Sequence, residues 1–109
     1  MEHESDEVKF EHHKRLIQIT VGAAFAGCNL VEKSVDDGVA FRVRDFGIGA
    51  MYSLEVARPV LVGSRADGEI EDALPQAIRL MQENPGRVVM LSSPGSVISS
   101  WLKGDGGNL

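Results

Sequence analysis

Apolar positions along the chain follow two different periods. Ile70, Ala73, Leu74, Ala77, Ile78 and Met81 recur at the three- and four-residue spacing of one helix face. Asn84-Pro85-Gly86 closes that run, and Pro75 places the regular start near Asp72, because proline is comfortable only in a first helical turn. Phe10, Ile17, Val21, Ala24, Phe25 and Cys28 give a second series at helical spacing. Ser5 or Asp6 can cap its start, and Gly27 or Asn29 can end it.

Residues 16–30 support two other readings. Ile17, Ile19 and Val21 alternate, so a strand over 16–21 is one alternative. Lys14 and Arg15 precede the apolar run, and Phe25-Ala26-Gly27-Cys28 has the small residues of a lipoprotein export signal. Against export stand the acid-rich residues 1–15, the polar Gln18 and Thr20, and the aromatic Phe25 where an aliphatic residue is usual. The helix explains most of the pattern, and on it Cys28 is a small buried apolar residue.

The middle of the chain has a period of two. Residues 30–35 read as a strand, Asp36-Asp37-Gly38 as a tight hairpin turn, and residues 39–44 as a second strand. Val39, Phe41 and Val43 share one face of that strand, and Arg42 and Arg44 the other. Asp45 to Gly49 forms a loop or bulge. A third strand over 51–57 turns Tyr52, Leu54 and Val56 inward. Pro59 interrupts, and 60–62 reads as a short edge strand or a continuation. Residues 64–68 form a polar loop. Residues 88–91 suggest a short buried strand, and Ser93-Pro94 opens a short last helix through Trp101 and Leu102. The order is helix, three or four strands, helix, strand, helix. It predicts an α+β domain with a mostly antiparallel sheet covered on one face, spanning 1–109 with frayed ends near 1–5 and 104–109.

Composition narrows the function. The chain has 109 residues, 43% of them hydrophobic and 25% charged, so a folded domain is expected. Its net charge of −5 argues against direct nucleic-acid binding and against an anionic membrane surface, and permits a basic protein partner. One cysteine makes neither an internal disulfide nor a cysteine-rich zinc site. No apolar run reaches the length of a membrane span, and the expected compartment is the cytoplasm.

Motifs add little chemistry. Asp45-Phe46-Gly47 matches the magnesium-holding triplet of protein kinases, but the other parts of that machinery are missing from the sequence. Gly47-Ile48-Gly49 starts like a dinucleotide fingerprint, yet Tyr52 replaces its third glycine and a strand follows. His12 and His13 point about 100° apart on a helix and cannot share a metal, so they read as a solvated face. No cofactor and no metal is expected.

Candidate ligand-binding residues are Arg42 and Arg44, whose guanidinium forks suit oxyanions, and Ser93, Gly95 and Ser96, which would present hydroxyls and amides at a helix start. The plainer reading pairs the arginines across the sheet with Glu32, Glu55 or Asp45, and makes the serine turn a helix cap. Trp101 is the only tryptophan, a core or edge anchor if covered and a contact hot spot if exposed. Together these features favour a small acidic, non-catalytic binding protein that engages a larger protein, such as an inhibitor, antitoxin or immunity-type protein. A small-ligand binder for phosphate or carboxylate groups is the alternative. An enzyme ranks last, because no nucleophile–base or carboxylate arrangement stands at recognised spacing. A homodimer is expected from an open sheet edge.

Overall fold

A computed structural model of the chain describes residues 5–63, 67–93 and 97–103. The elements are α1 (Asp6–Ala24), β1 (Asn29–Val35), β2 (Gly38–Asp45), β3 (Ala50–Ala57), α2 (Arg58–Val62), α3 (Asp67–Glu83), β4 (Val88–Ser92) and β5 (Ser99–Leu102). The fold is α+β, and its sheet has five strands in the order β1-β2-β3-β4-β5. Every neighbouring pair is antiparallel except β3–β4, which is parallel. A parallel pair needs a crossover, and α2 and α3 supply it.

The first helix forms as its spacing predicts. The Ser5 hydroxyl accepts from the Val8 amide at 3.2 Å, and Asp6 and Glu7 occupy the first turn, where the helix dipole favours acids. His13, Ile17 and Val21 are its buried residues, and Phe25 continues that line just beyond it. Ile19 is 64% exposed, which a strand placing it beside Ile17 and Val21 would not allow. His12 is exposed, but His13 is buried, so the expectation of a solvated histidine pair fails for one of the two. The Nδ1–H of His13 donates to the Leu61 carbonyl at 2.7 Å, which joins α1 to α2 and satisfies both buried groups.

Three elements differ from expectation. Residues 58–62 are helix, not edge strand: Pro59 sits in the first turn, and Val60 and Leu61 are both fully buried, which one helical turn permits and strand alternation does not. The third helix starts at Asp67, so Pro75 lies inside it. An interior proline costs about 3 kcal/mol. Burial of Ile70, Leu74, Ile78 and Met81 contributes roughly 2 kcal/mol each and outweighs it. The last element is a strand. Pairing of Ser99–Leu102 with β4 satisfies its backbone and places Leu102 on the helical side of the sheet and Trp101 on the other.

All helices lie on one side of the sheet. α1 packs on α2 and α3, α2 on β2, β3 and β4, and α3 on β3, β4 and β5. The core fills the space between: Val39, Phe41 and Val43 of β2, Leu54 and Val56 of β3, and Val89 and Leu91 of β4 face the helices and are essentially buried. Lys14 of α1 reaches over β1 to Glu32 at 2.9 Å and also contacts Glu11. Gly38 begins β2 where the chain passes so close to β3 that a Cβ there would overlap the Val56 carbonyl oxygen. Among the described residues, no helix is long and apolar enough to cross a membrane.

Candidate protein-binding face

Strand register places the remaining side chains on the uncovered side of the sheet, because residues opposed across a ladder share a face. One row crosses the sheet as Val31, Arg42, Ser53 and Val88. The next crosses as Lys33, Ala40, Glu55, Met90 and Trp101. A shorter row holds Asn29, Arg44 and Met51. Val31 is 50% and Trp101 40% exposed, while Met51, Val88 and Met90 are half-buried. Ala40 is fully buried, a methyl-sized floor between Lys33 and Glu55.

The two sides differ in charge, because the helical side mixes acids with bases such as Lys9, Lys14 and Arg79. The strand rows of the uncovered face carry Lys33, Arg42, Arg44 and Lys103, with Glu55 as their one acid among the described residues, and Asp36 and Asp37 stand at the turn beyond them. The acids of the helical side include Asp6, Glu7 and Glu11 on α1 and Glu71, Asp72 and Glu83 on α3. A chain of net charge −5 therefore presents a locally basic sheet. The expected pairing of the arginines with Glu32, Glu55 or Asp45 does not form. Glu32 stands opposite Phe41 on the helical side and binds Lys14, and Glu55 takes Lys103 at 3.6 Å. Asp45 instead accepts the Gly47 amide at 2.9 Å.

Two depressions mark the ends of this face. The one at the β1–β2 turn is lined by Asp36, Asp37, Glu55, Ala57, Met90 and Lys103. The other is lined by Asn29, Val31, Arg42, Arg44, Phe46 and Met51. The guanidinium carbon of Arg44 lies 5.6 Å from the centre of the Phe46 ring, a cation–π distance. Phe46 and Ile48 project from the β2–β3 connection, each 72% exposed.

The sequence-predicted site residues do not converge. Arg42 and Arg44 lie together near one end of β2. Ser93 directly follows β4, at the opposite end of the sheet, and Gly95 and Ser96 lie outside the described residues. Trp101 is on a strand, not on a helix, and faces Met90 across the ladder. Val31, Met51, Val88 and Met90 were not legible as surface residues. Their signal is strand parity, usable only once the neighbours of each strand are known.

Partial burial pushes the Cys28 thiol up from its ordinary pKa, and the neighbouring Asp45 carboxylate adds to the shift, so the thiolate is disfavoured. Among the described residues, no group of three His, Cys, Asp or Glu side chains is placed to hold a metal ion. No protein-family model matches the chain, and no curated protein and no solved structure matches it.

Proposed function

We propose that this chain is a non-catalytic binding protein that engages another protein through the uncovered face of its sheet. One observation carries the reading: tryptophan, methionine, valine and arginine side chains form a continuous, partly exposed surface that no element of the described fold covers. Exposed Trp and Arg, with Met between them, make up the composition enriched at protein contacts. Apolar groups in every row favour a protein over a polyanionic strand, and the Asp36–Asp37 turn and Glu55 would oppose phosphates spaced along a backbone. An inhibitory or neutralising role toward a larger protein is the biological form we favour, in the cytoplasm. Processing before Cys28 would remove Ile17, Val21 and Phe25 from the core, which weighs against export as a lipoprotein.

A small-anion site at Arg42 and Arg44 is the second reading, favoured only by the depression those two residues line with Phe46. The tests are separable. A photo-crosslinking amino acid at Ser53, in the middle of the uncovered face, is expected to capture protein in growing cells, and the same group at Gln76 on exposed α3 is not. Crosslinks at Gln76 alone would contradict the reading. Saturable binding of inorganic phosphate or acetate abolished by R42A/R44A would favour the small-anion site.

A further inference from the structure

The uncovered face is polar in a directional sense. Its depression at the β1–β2 turn holds Asp36, Asp37 and Glu55 against the single cation Lys103, which contacts Glu55, so it is net acidic at one end of the strands, and the arginine depression sits at the other. Such a surface complements itself under one symmetry operation and repels itself under another. A two-fold axis running along the strands would set the arginine end of one copy against the arginine end of the other. A two-fold axis lying between the sheets and perpendicular to the strands turns the face end for end.

Under that second operation the rows exchange. The row of Lys33, Ala40, Glu55, Met90 and Trp101 lies against the row of Val31, Arg42, Ser53 and Val88 from a second copy. Met90 meets Val88, and the ring of Trp101 meets Lys103, which continues the second row past Val88. Arg42 of the second copy lands over the Ala40 floor, between Glu55 on one side and Lys33 at the sheet edge on the other. Arg44 of the second copy lands over Gly38, next to the Asp36–Asp37 turn. Twist rotates the two sheets by about 30° but preserves which end meets which.

Resting on the reading that this face is a protein contact surface, we infer that the chain not engaged with its larger partner pairs through it with a second copy of itself, docked sheet to sheet with its strands reversed. This is an isologous contact, in which the acid end of each copy holds the arginine end of the other. Five strands span ~24 Å and the strands run ~20 Å, so each copy contributes roughly 500 Å². The total of roughly 1,000 Å² is at the lower bound for a specific interface, which sets the expectation of a dissociation constant on the order of 10 µM.

Charge reversal tests the arrangement. Equilibrium sedimentation of the whole chain from 1 to 500 µM is expected to show a monomer–dimer equilibrium that weakens as salt rises. R42E/R44E and D36K/D37K are each expected to weaken self-association by at least tenfold, with circular dichroism confirming that both stay folded. Mixing the two variants is expected to restore a heterodimer, since one face is then acidic at both ends and the other basic. A wild-type monomer throughout that range, a dimer indifferent to either reversal, or no recovery on mixing would each overturn the inference. A monomer whose Ser53 position still crosslinks a different protein would overturn self-pairing and leave the binding role standing. Loss of those crosslinks as well would overturn both.

Discussion

Met90 of β4 and Trp101 of β5 are directly opposed across the antiparallel ladder on the side of the sheet that no helix covers. A tryptophan beside a methionine at a partly exposed position contributes more to contact than to folding. Trp101→Ala is therefore expected to weaken partner binding by about tenfold or more while lowering the melting temperature only slightly. Titration of association and a thermal melt on the same preparation separate the two effects. A large fall in stability with unchanged association would assign Trp101 to the core.

The hydrogen bond from His13 to the Leu61 carbonyl is a buried link between α1 and α2. His13→Ala leaves that carbonyl without its donor and is expected to cost about 2 kcal/mol in urea unfolding. A change within experimental error would mean that the α1–α2 joint does not depend on this bond.

Gly38 leaves no space for a side chain against the Val56 carbonyl. Gly38→Ala must open the junction between the β1–β2 turn and β3, and is expected to destabilise by about 3 kcal/mol. The same exchange at Gly68, where no atom lies within 4 Å of a Cβ, is expected to be neutral or slightly stabilising. Similar effects at both sites would contradict the close approach at Gly38.

Lys14 has its pKa raised, chiefly by the hydrogen bond to Glu32 and against partial desolvation, with Glu11 adding to the rise. A raised lysine pKa stabilises the fold fully below the unfolded-state value near 10.4 and loses that contribution as pH climbs through the higher folded value. Wild type is thus expected to lose more stability than K14M between about pH 10 and 12. Parallel alkaline profiles would show that the Lys14–Glu32 contact carries no linkage. Cys28→Ala in both backgrounds removes the thiol, which titrates in the same direction.

The raised pKa of Cys28 has its own consequence. Alkylation of the folded protein is expected to be slow at neutral pH and to rise at a pH above that of a free cysteine. Removing the nearby charge with Asp45→Asn is expected to shift the profile toward the ordinary value. A profile unchanged by that substitution would leave partial burial as the sole cause.

Local periodicity reveals much of this fold and little of its surface. The alternation of Val39, Phe41 and Val43 identifies β2 and its inner face, and the 70–81 series identifies α3, because both signals repeat within one element. Residues 60–62 and 99–102 offer too few positions for a period to decide, so pairing and packing settle them. His13 lies four residues before Ile17 on the buried stripe of α1, but its residue type points to solvent and the carbonyl that satisfies it lies 48 residues away. Trp101 and the two arginines are conspicuous by residue type, but the face uniting them with Val31 and Met90 arises from four strand pairings. Ends near 1–5 and 104–109, expected to fray, lie outside the described residues except for Ser5.

Radical footprinting compares the uncovered face in its working environment with the same face alone. Labelling of Trp101 and Met90 is measured in dilute purified protein and inside intact cells, with Ile19 on exposed α1 as the internal reference. If the sheet face is a protein contact surface, Trp101 and Met90 are expected to be labelled several-fold less in cells, relative to Ile19. Equal relative labelling in the two settings would show that nothing covers the face where the protein works, and would contradict the binding role.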